Sequence, residues 1–131
     1  MQDQPSPPEV TSQVARFLRE EAAPAASGAL NFKIRVAANA LEMMTRQLEL
    51  APKAEAVEAA SLETILGTKA DLLAMNAELC RRIEAGEIAE DDPGLLSHLW
   101  ATTMAKLAVD QPTYAAYRAS LQERGPARES T

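Results

Sequence analysis

An all-α, single-domain bundle of five to six helices with short connections is the fold this sequence predicts. Three observations carry that prediction. Alanine and leucine dominate, with Glu, Arg and Met beside them, and these are strong helix formers. β-branched and aromatic runs of strand length are absent. Apolar residues recur at steps of three and four between the prolines and glycines that punctuate the chain.

Each element follows from local signals. Residues 1–6 form a polar, Pro-rich tail, and 7–124 the bundle domain. Ser6 and Glu9 match a capping box, with Pro7 at the first helical position. Val10, Val14, Phe17 and Leu18 give the first helix an apolar face to bury, and it is expected to end before Pro24. A small-residue turn, Ala25 to Gly28, precedes a second helix from Leu30 to Leu50. That helix carries one stripe of Leu30, Ile34, Ala37, Leu41, Met44 and Leu48, and another of Phe32, Val36, Ala40, Met43 and Leu50. Arg35, Asn39, Glu42 and Arg46 line the remaining face. A helix apolar on two sides is expected at the centre of a bundle, packed on several neighbours.

Pro52 is expected to open a third helix that buries Val57, Leu62, Ile65 and Leu66 and stops at Gly67. Thr68 and Asp71 read as the cap of a fourth, which carries Leu72, Leu73, Asn76, Leu79, Cys80 and Ile83 and ends at Gly86. Asp91-Asp92-Pro93 starts a fifth, with an acidic cap matched to the helix dipole. Leu96, Leu99, Trp100, Thr103, Met104 and Leu107 form its expected buried face. It stops at Asp110-Gln111, and Pro112 starts a short helix with Tyr114, Tyr117 and Leu121. Residues 125–131 read as a flexible tail.

Bulk properties exclude several functions. A net charge of -6 argues against sequence-independent nucleic-acid binding and against an anionic membrane surface. No apolar run approaches the roughly 20 residues of a membrane span. The first residues lack the basic and apolar regions of a secretory signal. Cys80 is the one cysteine, so no intrachain disulfide can form. A cytoplasmic protein is expected.

Chemistry-bearing residues are sparse. One histidine and one cysteine cannot make the usual zinc set, and no repeated Glu-x-x-His marks a di-iron site. No metal and no cofactor is expected. Nothing orients His98 and Cys80 as a nucleophile and base; Cys80 is expected to fill space beside the apolar face, and His98 to lie on the polar side of its helix. Gly67-Thr68-Lys69 lacks the earlier glycine of a phosphate loop, since Leu62 stands there. Methionines 43, 44, 75 and 104 fit core positions, and Tyr114 with Tyr117 covers the bundle's end or forms a partner surface.

The polar residues at awkward positions are more informative. Asn76 falls between Leu72, Leu79 and Ile83 on an apolar face, and a buried amide without partners costs about 1–3 kcal/mol. Asn39 borders an apolar stripe, one turn from Arg35. Lys106 and Asp110 are spaced to pair across a turn. Arg35, Asn39, Asn76, Lys106 and Asp110 can therefore form one cluster between the second, fourth and fifth helices. It reads as a ligand or docking site, as a structural network that fixes helix register, or as two solvated surfaces, with no catalytic residue assigned.

Three segments carry a family resemblance: Arg35-Val-Ala-Ala-Asn39 with Leu41, Leu72 to Ile83 with its Asn-x-x-Leu-Cys core, and Lys106-Leu-Ala-Val-Asp110-Gln-Pro112 with Tyr114. Together they resemble a bacterial family of small uncharacterised all-helical proteins. Its members are encoded beside aminoglycoside-phosphotransferase-like kinases and acyl-CoA dehydrogenases. The resemblance implies a place in acyl-CoA or small-molecule phosphorylation metabolism, and no catalytic residues. The leading functional expectation is a non-catalytic accessory module that binds such a kinase or dehydrogenase, or itself as a homodimer. A domain binding a small carboxylate or phosphate through the five-residue cluster is the first alternative. A small enzyme using Lys106 and Asp110 is the second.

Overall fold

The structure, a computed structural model, describes residues 4–123. Among them every regular element is helical: α1 (Pro7–Phe17), a π-helical turn (Leu18–Ala22), α2 (Ala23–Ala25), α3 (Gly28–Leu66), α4 (Leu72–Glu84), α5 (Pro93–Asp110) and α6 (Ala115–Glu123). The all-α class is as predicted. Within the span expected to form one domain, the chain divides into two compact units, Met1–Pro52 and Lys53–Thr131. Residues 1–3 of the tail expected at 1–6, and the whole tail expected at 125–131, lie outside the described residues.

In the first unit, the Ser6 N–H and hydroxyl both donate to the Glu9 carboxylate, at 2.6 and 2.7 Å, so one side chain fixes the entry of α1. The helical path does not end before Pro24. A π turn intervenes, in which the Ala23 N–H donates to the Leu18 carbonyl five residues back. The ladder is thus already displaced where Pro24 lacks its N–H, and the helix continues to Ala25. The Asn31 amide then donates to the Ala23 and Ala26 carbonyls at the helix end, the first of which also accepts the Ala26 N–H.

The predicted break at Pro52 is also absent, and α3 runs through it for 39 residues. Proline removes one ladder bond, to the Leu48 carbonyl, and a long helix sustains that loss on the bonds either side.

The first unit buries Ala15, Ala23 and Ala38. Of the face expected inside, Val10, Val14 and Phe17 are exposed and only Leu18 is half-buried, while α1 turns Thr11 and Ala15 inward. The segment Leu30–Leu50 is therefore not a helix covered on several sides. Phe32 is 68% exposed, and Val36, Met43 and Leu50 of the same stripe are exposed too.

The second unit has a core of large side chains. Leu62 and Leu66 of α3 pack with Met75 and Leu79 of α4 and Leu95 of α5, edged by Ile65, Leu72 and Ile83. Its helix ends follow the predicted signals. Gly67 sits at φ +70°, left-handed backbone that suits glycine, and its N–H closes α3 on the Glu63 carbonyl. Asp71 accepts the Ala74 N–H at 2.9 Å, and Asp92 accepts the Leu95 N–H at 2.8 Å, each capping its helix. The last helix begins at Ala115 rather than Pro112, after a turn closed by the Tyr114 N–H on the Gln111 carbonyl.

The face of α5 differs from expectation. Leu96, Leu99, Trp100 and Thr103 are exposed, while Leu95, His98 and Val109 are buried. Leu95, His98, Thr102 and Val109 recur at helical steps, so two competing faces exist and the core takes the one bearing Leu95. Cys80, expected beside the core, is exposed.

Candidate functional site

The five residues singled out by sequence lie in both units. Arg35 and Asn39 belong to the first, and Asn76, Lys106 and Asp110 to the second. Each of the bonds described for Arg35, Asn39 and Asn76 stays inside its own unit.

In the first unit, Arg19 organises the polar flank. Its Nε donates to Glu42 at 2.7 Å and its Nη2 to the Asn39 Oδ1 at 2.6 Å. The Glu42 hydrogen bond, then its charge, raises the Arg19 pKa above its ordinary value. Arg35 donates to Asn31 one turn back, at 3.0 Å. Glu42, on the polar face of its helix, is thus half-buried and paired. Arg19 was missed because its partners come into reach only when the chain folds back on α3, whereas Asn31 stands one turn from Arg35 within the same helix.

The contacts of α1, the π turn and α2 with α3 also define the opposite flank. Thr11 bonds Thr45 at 2.7 Å, Arg19 reaches Glu42 and Asn39, and Asn31 reaches Ala23. This descending order makes the two helices an antiparallel hairpin. At 100° per residue, Arg19, Asn39 and Glu42 share one flank. Val10, Val14 and Phe17 of α1, with Leu30, Met44 and Leu48 of α3, share the other. All six are exposed. Phe32, Val36, Met43 and Leu50 lie on the side of α3 turned away from α1.

The second unit holds a buried polar cluster. The Asn76 amide donates to Glu58 at 2.8 Å and to the Leu72 carbonyl at 3.0 Å. This satisfies the half-buried amide that sequence singled out. His98, predicted on the polar side, is only 3% exposed, and its Nδ1 lies 3.0 Å from the Ser61 hydroxyl. Burial holds its pKa below the usual imidazole value, the Glu58 charge opposes that, and Lys106 adds to it. Lys106 and Asp110 are exposed, and no ion pair joins them among the described residues.

Ser61 and His98 form a hydroxyl–imidazole pair that sequence spacing could not show. Their surroundings suit a structural bond. Ser61 stands inside α3, where backbone N–H groups are committed to the helix ladder and none is free to hold an oxyanion. The Glu58 carboxylate is engaged by Asn76 rather than by the imidazole. What the arrangement does chemically is tie α3 to α4 and α5 through neutral and charge-assisted hydrogen bonds.

The described residues contain no group of three or more His, Cys, Asp or Glu side chains placed to hold a metal ion. None of the helices is long and apolar enough to cross a membrane. Fold and polar clusters thus define an all-helical protein with internally satisfied polar groups and outward-facing apolar side chains. Residues 24–114 match the family described as Domain of unknown function (DUF6285), and the chain belongs to that family. No curated protein and no solved structure matches the chain.

Proposed function

We propose that this protein is a non-catalytic interaction module of the cytoplasm. Its partner is a phosphotransferase-like kinase acting in acyl-CoA or small-molecule metabolism, with an acyl-CoA dehydrogenase the other candidate from the same gene neighbourhood. One observation carries the reading. Among the described residues the first unit fully buries only alanines, and most of its large apolar side chains, Phe17, Leu30, Phe32 and Met44 among them, are exposed. Exposed apolar surface of that kind marks a place where another molecule docks.

The ligand-binding alternative has less support. Asn39 and Asn76, which would orient a carboxylate or phosphate, already serve Arg19 and Glu58. An enzyme using Lys106 and Asp110 would need a desolvated cleft around them, and both are exposed.

Co-expression with an aminoglycoside-phosphotransferase-like kinase, of the kind the family resemblance implies, tests the proposal. A complex at micromolar concentration is expected, weakened by Phe32→Glu on the outward stripe. No complex, together with unchanged kinase activity, overturns it.

A further inference from the structure

We infer that the apolar flank of the first unit docks on the same flank of a second copy, so that two α1–α3 hairpins close a four-helix bundle. This rests on the reading of the unit as an interaction surface and assigns one of its faces. The flank consists of Val10, Val14 and Phe17 from α1 and Leu30, Met44 and Leu48 from α3.

Three arguments select a second copy. The first is what lies behind the flank. A helical hairpin whose fully buried residues are Ala15, Ala23 and Ala38, with Leu18, Ile34 and Leu41 only half-buried, has little apolar burial of its own. Its cover must therefore be present whenever the chain is folded, and a second copy is the partner made with every copy.

The second is charge. Two chains of net charge -6 repel, and the six flank side chains are uncharged. The ionic groups Arg19 and Glu42 stand on the opposite flank. A two-fold contact places each patch against itself, which an uncharged patch accepts without opposing like charges.

The third is area. At their observed exposures the six residues leave roughly 550 Å² of one copy open, so a contact that covers all of it buries about 1,100 Å² between two. A specific interface begins near 1,000 Å² in total. Antiparallel hairpins with one apolar flank each are also the halves from which four-helix bundles assemble.

Light scattering on the full chain at micromolar concentration tests this. Twice the chain mass is expected, with a melting temperature that rises with protein concentration. Phe17→Glu combined with Met44→Glu is expected to give the single mass, while Phe32→Glu keeps the double mass. Should the double variant lose its helical signal altogether, Phe17→Ala decides, with dissociation expected to strengthen about tenfold or more. A single mass for the unaltered chain, a double mass that survives the flank substitutions, or dissociation caused only by Phe32→Glu overturns the inference. A single-mass chain that still captures the kinase overturns self-association alone. A double-mass chain that ignores the kinase sustains self-association and removes that kinase as partner.

Discussion

The second unit buries Leu62, Leu66, Met75, Leu79 and Leu95, whereas the first buries Ala15, Ala23 and Ala38. Fully burying a leucine or methionine side chain contributes roughly 1.5–3 kcal/mol, and one methyl group about 0.8 kcal/mol. The two units thus use one alphabet of helix formers to different ends. One has a core of large side chains, and the other leaves most of its large side chains exposed. Helical propensity and apolar content do not separate them. The side of each helix that meets its neighbour does.

The largest expected effect tests the second unit's core. Leu62 is fully buried, so Leu62→Ala leaves a cavity and should cost about 2–5 kcal/mol. Leu73, on the outer side of α4, should tolerate alanine within about 0.5 kcal/mol. Trp100, the chain's single tryptophan, lies in the second unit, and its fluorescence during denaturant unfolding measures both. Equal costs at the two positions would break the comparison.

A smaller effect addresses the first unit. Ala38 is completely buried against α1, and Ala38→Leu forces extra volume into an alanine-sized space, at about 1–3 kcal/mol. The loss should appear in far-ultraviolet helical signal at temperatures where Trp100 fluorescence still reports a folded second unit. Indifference to Ala38→Leu would show that the hairpin is not closely packed. Smaller again are the caps of α4 and α5. Asp71→Ala and Asp92→Ala each free a backbone N–H and should each cost about 1 kcal/mol. Those costs belong to the second unit alone, and Trp100 should report them.

Helix ends were legible in sequence because their causes are local. Ser6 with Glu9, Gly67, Asp71 and Asp92-Pro93 act within one turn of themselves. The faces were less legible, because choosing among them is a tertiary event. On α5 the stripe of Leu96, Leu99 and Trp100 is more apolar than that of Leu95, His98 and Val109, yet the latter is buried. Ser61 accounts for the histidine, and it lies 37 residues away. Pro52 misled for another reason: proline opens helices often, but a long helix can also run through it. Of the candidate site, the adjacency of Arg35 and Asn39 and the oddity of Asn76 were readable. Their partners Asn31, Arg19 and Glu58 were not, since Arg19 and Glu58 come into reach only once helices fold back.

The smallest expected effect is on pH, and it again separates the units, because the chain's single histidine lies in the second. Burial depresses the folded-state pKa of His98 below its ordinary 6.5, with Glu58 partly offsetting the shift. The folded state then binds fewer protons than the unfolded state just below that value, so stability rises with pH there. The contribution is complete above about pH 6.5 and is lost as pH falls from there through the folded pKa. Carboxylates act lower. Glu9, Glu78 and Glu87 are held below their usual 4.5, Glu78 at about 2 by hydrogen bonds from Arg81 and Arg82, so their losses begin in a separate, more acidic range. Denaturation midpoints followed by Trp100 should therefore decline on acidification from pH 6.5 in the unaltered chain. In His98→Gln they should stay flat until the carboxylates titrate. Parallel profiles for the two chains would mean that the imidazole does not titrate differently on folding, and that its burial in the α3–α5 contact carries no proton linkage.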